Sequence, residues 1–148
     1  MGEALEALYA GDAERGRSLL GPDSELTIFE AAAFGRTHRL RSLLDGDPAR
    51  AEALSEDGFT ALHLAVFGQQ EEAVHVLIEH GADLDRVSEA SFAQVTPLGT
   101  AAFRRSVPLA RILLEAGADP SAGAETPIST ARANGDEELV ALIASFGG

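Results

Sequence analysis

The four histidines are the first residues to consider for chemistry, because an imidazole can ligate a metal or transfer a proton near neutral pH. A metal site would need several His and carboxylate side chains that converge on one point. His75 and His80 are five residues apart, which places them on different faces of a helix, and the chain has no Cys. The sequence therefore predicts no metal ligands and no thiol chemistry.

Nucleophilic catalysis and phosphate binding have no sequence support either. Ser, His and Asp all occur, but no segment has the pattern of a nucleophile elbow or of a glycine-rich phosphate loop. Instead, Gly81, Gly117 and Gly147 follow apolar runs in the manner of glycines that close helices. We therefore expect no catalytic residue and no cofactor, and we expect the protein not to be an enzyme.

One recurring motif indicates how the chain positions its residues. It begins with Thr and has an apolar residue two positions later and Ala five positions later. Its copies are TIFEAA at 27–32, TALHLA at 60–65, TPLGTA at 96–101 and TPISTA at 126–131. Successive Thr residues lie 33, 36 and 30 residues apart. Such a period is typical of repeats that bury their apolar faces only when they stack on one another.

The sequence resembles the ankyrin repeat family through three segments and their copies. These segments are DGFTALHLA at 57–65, AVHVLI at 73–78 and GADLD at 81–85. The resemblance implies an all-α solenoid of helix-turn-helix units, with about four repeats and an N-terminal capping helix pair. The expected boundaries, within a single domain at 1–148, are 3–24 for the cap and 25–56, 57–89, 90–121 and 122–148 for the repeats.

The pattern within each unit predicts the core. Positions two and five after the Thr share one side of the first helix, and positions sixteen and seventeen are apolar in every second helix. Each Thr suits the N-cap, and Pro97 and Pro127 stand at the first helical position. The expected core residues are Phe29, Leu62, Leu98 and Ile128, then Ala32, Ala65, Ala101 and Ala131, and finally Leu43–Leu44, Val76–Leu77, Ile112–Leu113 and Leu142–Ile143.

The net charge of −13 bears on the choice of partner. A field of this sign repels nucleic acid and attracts basic protein surfaces, and it is equally well explained as a means of keeping a solenoid soluble. No apolar run approaches the ~18 residues of a membrane helix, and the first residues do not resemble a signal peptide. We expect a cytoplasmic monomer. The absence of Lys, together with abundant Ala and Gly, favours a bacterial coding sequence rich in GC.

The resemblance implies a non-enzymatic module that binds a protein partner through its concave face and its turn fingers. A narrower form of this hypothesis is an inhibitor or immunity-type partner of one particular enzyme. A different possibility is a structural protein that associates with itself through its end units. Neither alternative is excluded by the sequence.

Aromatic residues are the predicted partner-binding residues. The residue seven positions after the Thr of the motif is Phe34 in the first repeat, Phe67 in the second and Phe103 in the third. Because a helix turns by about 100° per residue, this position lies on a different side of the first helix from the core positions. Stacked units would align these rings into a stripe, bordered by Arg104 and extended by Phe59 on a turn tip. The alternative is that each ring fills the groove against the adjacent unit.

The unequal spacing of the repeats predicts one long finger and one short one. The step of 36 residues lengthens the finger from Arg86 to Val95 and places Phe92 and Val95 on it, whereas the step of 30 residues truncates the segment 120–125. We expect the long finger to project. Phe92 is then either a contact residue or folded back onto its neighbours.

Overall fold

The computed structural model describes residues 2–147, and within this range the chain forms ten α-helices in five successive pairs. The helices are α1 (Glu3–Tyr9), α2 (Ala13–Leu19), α3 (Ile28–Ala33), α4 (Thr37–Gly46), α5 (Ala61–Phe67), α6 (Glu71–Glu79), α7 (Pro97–Phe103), α8 (Val107–Glu115), α9 (Pro127–Ala133) and α10 (Glu137–Ser145). Short 3-10 helices lie at Asp23–Glu25 and Pro48–Glu52. The predicted all-α architecture of helix-turn-helix units is confirmed.

The helices form two compact units, of which the first ends at Ala82 and the second begins at Asp83. In the first unit α1 packs on α2, α3 on α4 and α5 on α6, and α3 lies between α1 and α5. In the second unit α7 packs on α8 and α9 on α10, with α7 beside α9. Within each unit, therefore, first helices pack on first helices and on their own second helices.

The repeated Thr starts each first helix as predicted. Thr27, Thr60, Thr96 and Thr126 are N-caps whose hydroxyls accept the backbone N–H three residues later. Glu30 and His63 complete capping boxes by accepting the N–H of their own Thr, at 3.0 and 3.3 Å. Pro97 and Pro127 occupy the first turn, where the missing N–H leaves no bond unmade.

Residues with a left-handed backbone conformation follow the ends of the helices. Gly81, Gly117 and Gly147 follow α6, α8 and α10 with φ of 80°, 109° and 96°, which confirms that they are turn glycines. The turn inside each pair uses the same conformation, at Gly11, Gly35, Gln69, Arg105 and Gly135. Each of these five residues lies two positions after the last residue of its first helix.

The core follows the predicted periodicity closely. Ala32, Ala65, Ala101 and Ala131 have no exposed surface, and neither do Leu44, Leu77, Leu113 and Ile143 of the second helices. Leu43 and Ile112 are only half-buried. Phe29 is also half-buried, and its neighbour Ile28 is buried in α3. The small Ala side chains allow these short helices to approach one another closely.

Candidate functional site

Phe34 is buried in the first unit, so it is not an exposed partner-binding ring, and the alternative that the ring fills a groove against the adjacent helix pair holds for it. Only 6% of the residue is exposed. Helix α3 has six residues where α5, α7 and α9 have seven, and Phe34 is therefore a C-cap and not the last helical residue. Its ring packs on Gly16 of α2, where an added Cβ would lie 2.7 Å from Phe34 Cζ.

Phe59 and Phe67 belong to an aromatic cluster that also contains Tyr9. The Tyr9 ring meets Phe67 edge-on at 5.6 Å between centroids and Phe59 at a tilt at 6.2 Å. Phe59 also lies 5.9 Å from the buried His63 ring. Phe67 is half-buried and Phe59 is 8% exposed, so Phe59 is not the open turn tip that we expected.

Tyr9 was not among the predicted site residues. It is the last residue of the seven-residue helix α1, and its ring reaches across α3 to α5. Phe67 and Phe103 end α5 and α7 in the same way. The sequence did contain a signal, because Gly11 follows Tyr9 by two residues, as Gly35 follows Ala33 and Gly135 follows Ala133.

The long finger of the second unit is a closed hairpin. Ala90 and Ala93 form an antiparallel bridge, and the buried Ser88 holds the two arms together. Ser88 donates its hydroxyl to the Ala93 carbonyl at 2.7 Å and accepts the N–H of Val95 at 2.9 Å, while its own N–H reaches the Val95 carbonyl at 2.8 Å. The backbone of the finger is thus fixed before any partner binds.

Phe92 stands at the end of this hairpin and is 71% exposed. Val95, the other predicted finger residue, is half-buried and contributes to closing the hairpin. Arg86 and Glu89 form an ion pair at 2.6 Å at the base of the same finger. Phe92 therefore has the exposure that a contact residue needs, whereas Val95 has a structural role.

Phe103 is the second exposed ring of this unit, at 64%. It ends α7, and the half-buried Arg104 is the C-cap that follows it. The neighbouring helix α9 ends at the small and exposed Ala133. Phe92 and Phe103 are the most exposed large apolar side chains among the residues described.

Two further kinds of site were sought in the part of the chain that the structure describes. Among residues 2–147 no three His, Asp or Glu side chains are grouped so as to hold a metal ion. Within the same range, no helix combines the length and the apolar character needed to cross a membrane.

Comparison with known proteins gives the same fold class. A family model for ankyrin repeats in three copies matches residues 3–88 and again residues 28–124. The chain is 36% identical to the rice protein named "Probable E3 ubiquitin-protein ligase XBOS31" over 64% of its length. It is 32% identical over 80% of its length to a transient receptor potential cation channel subfamily A member 1 homolog of Caenorhabditis elegans. It is 35% identical over 69% of its length to human B-cell lymphoma 3 protein.

These relatives are much longer than the present chain. The matched segments make up 21%, 10% and 32% of the rice, nematode and human proteins. What is shared is the repeat segment, and the names of the three proteins differ from one another. The bacterial origin that composition favours stays a prediction.

Proposed function

The chain belongs to the ankyrin repeat family, whose repeats generally act as protein–protein interaction modules, and we propose that it binds a protein partner and catalyses no reaction. The proposal rests above all on the exposed rings of Phe92 and Phe103 in the second unit. Aromatic side chains that project from a protein surface are frequent anchors of binding energy.

The elements that carry the two rings are already ordered. Phe103 is part of α7, and Phe92 is held by the Ser88 hairpin. Binding through such elements loses little conformational entropy, because their backbone is fixed before the partner arrives. This favours a contact surface over a loop that is exposed without a function.

Charge favours a basic partner. The protein carries a net charge of −13, and residues 51–82 contain six carboxylates and no Arg or Lys. Such a negative electrostatic field accelerates association with a basic surface, and this acceleration decreases at high salt.

We propose that the protein acts as a cytoplasmic monomer.

A comparison of variants tests this function. Proteins captured from the native cells by the wild type are identified by mass spectrometry, and each candidate is then purified and measured by calorimetry. We expect Phe92→Ala together with Phe103→Ala to weaken the pairwise affinity by roughly two kcal/mol or more, as for interface hot spots.

The matched control is Leu19→Ala, which removes another exposed apolar side chain from α2 of the first unit. An affinity that is the same for the wild type and the double variant would disprove the role of the two rings. Light scattering of the free protein at several concentrations separates partner binding from self-association.

A further inference from the structure

The cluster of Tyr9, Phe59 and Phe67 in the first unit lies next to a carboxylate. Asp57 belongs to the turn that Phe59 closes, in which the Ser55 N–H donates to the Phe59 carbonyl at 2.8 Å and the Phe59 N–H donates to Ser55 Oγ at 3.2 Å. Asp57, Tyr9 and Phe67 are each half-buried, so part of each remains accessible. The turn thus presents a carboxylate close to Tyr9, whose partly exposed ring also contacts Phe67.

The sequence around Asp57 is acidic, with Glu52 and Glu56 close by. Of the residues that the structure describes, none forms a salt bridge with Asp57, and no Arg or Lys occurs between residues 51 and 82. Burial, followed by the negative charge of Asp57 and the closeness of its carboxylate as a hydrogen-bond acceptor, raises the pKa of Tyr9 above its ordinary value. The Tyr9 hydroxyl is buried and forms no hydrogen bond of normal geometry with the described residues.

A guanidinium group has the chemistry that these neighbours favour. Its flat cation stacks on aromatic faces, and its forked N–H groups donate two parallel hydrogen bonds to a carboxylate. A lysine ammonium can make the charge contact but is more strongly hydrated and lacks the planar fork. An anionic or apolar side chain would leave the Asp57 charge without a partner.

We propose that Tyr9, Phe67 and Asp57 form a subsite that receives an arginine side chain from a basic segment of the partner. The inference depends on the proposed protein-binding function and specifies the chemistry of the partner at one point of the first unit. It also gives the N-terminal helix pair a role in recognition, because α1 supplies Tyr9.

The subsite can be probed without knowing the partner. N-acetyl-arginine methylamide is titrated into the isotope-labelled protein to millimolar concentrations, and the amide and aromatic NMR signals are followed. We expect saturable shifts centred on Tyr9, Asp57 and Phe67. The matched citrulline derivative, which has nearly the same shape and no charge, should produce none, and the lysine derivative should bind more weakly than arginine.

Substitutions assign the contacts. Asp57→Asn should weaken binding of the arginine probe roughly tenfold, since a charge-assisted hydrogen bond is lost. Glu72→Gln, on the exposed start of α6, makes the same change in net charge and should leave the affinity unchanged. Tyr9→Phe keeps the ring and should bind normally, whereas Tyr9→Leu should weaken binding. A thermal melt shows that each variant is folded.

The inference is overturned if the shifts do not saturate, if citrulline matches arginine, or if Asp57→Asn binds like the wild type. The same variants distinguish this failure from failure of the proposed function. A partner that is lost by the Phe92 and Phe103 double variant but retained with full affinity by Asp57→Asn would preserve the function and remove the arginine subsite.

Discussion

The two units place aromatic side chains at matching positions and use them differently. Phe67 ends α5 in the first unit and Phe103 ends α7 in the second. Phe67 is half-buried because the Tyr9 ring lies against it, whereas Phe103 is 64% exposed. Within the second unit, the helix beside α7 offers only Ala133 at that position. In the first unit, therefore, a matching ring has an aromatic neighbour to pack on, whereas in the second unit the adjacent first helix ends in a small exposed alanine.

Replacement by Ala should change the free energy of unfolding very differently at Phe34 and at Phe103. Phe34→Ala removes a ring packed on Gly16 and should lower the free energy of unfolding by about 3 to 5 kcal/mol. Phe103→Ala changes an exposed ring and should cost no more than about 0.5 kcal/mol. Urea unfolding of both variants measures the difference. Equal losses would mean that the two rings share one environment.

Local rules made most of the fold predictable. Thr27, Thr60, Thr96 and Thr126 cap helices because of their own backbone bonds, and the enclosed Ala65 and Ala101 follow from helical periodicity. These features depend on residues within a few positions of one another. The pattern of a single repeat therefore predicts which residues cap the helix and which side of it faces the neighbouring repeats.

The site was less predictable because it depends on contacts between repeats. Phe34 and Phe67 are both seven residues after a Thr, and the early end of α3 is what turns Phe34 inward. Tyr9 meets Phe67 from 58 positions away in the sequence, and its own helix α1 contains no copy of the motif. The exposure of Phe92 was one of two outcomes left open, since the Ser88 hairpin is not encoded in the repeat pattern.

The second unit should be tightly packed on its inner side despite its exposed rings. Ala101→Leu adds three carbons where no surface is exposed and should cost about 1 to 3 kcal/mol. Ala133→Leu makes the same change on the exposed end of α9 and should be nearly neutral. Thermal melts compare the two variants. Identical melting temperatures would show that the interior of this unit is loose.

Ser88 provides a test of whether the long finger is preformed. Ser88→Ala removes a buried hydroxyl that joins Ala93 and Val95, and it should destabilise the hairpin locally by about 1 kcal/mol. Hydrogen exchange at the Val95 amide reports this opening directly. Ser91→Ala changes an exposed residue of the same finger and serves as the control. Unchanged exchange in Ser88→Ala would mean that the finger is held by other contacts.

The smallest expected effect is a pH dependence confined to the first unit. His80 Nδ1 lies 2.8 Å from the Val76 carbonyl oxygen, and Nε2 lies 2.9 Å from Asp45 Oδ1. Both oxygens can only accept hydrogen bonds, so both contacts are complete only when the imidazole is protonated. The hydrogen bond to Asp45, and then the one to Val76, raise the pKa of His80, although burial and the Arg41 charge oppose this.

The sign of the effect follows from that shift. Because the pKa of His80 is higher in the folded than in the unfolded protein, its contribution to stability is complete below the unfolded pKa of about 6.5. It is lost as the pH rises through the higher folded pKa. Asp45 is 73% exposed in its side chain, so solvent screening should limit the contribution to about 0.2 to 1 kcal/mol.

Urea unfolding at pH 6 and pH 8 measures this contribution in the wild type and in Asp45→Asn. We expect the wild type to lose more stability than the variant over this interval, because the variant lacks the carboxylate that favours the imidazolium. His75→Gln replaces an exposed histidine of α6, the helix that His80 caps, and should leave the wild-type pH dependence intact. If Asp45→Asn shows the same pH dependence as the wild type, the pair does not couple protonation to the packing of α4 on α6.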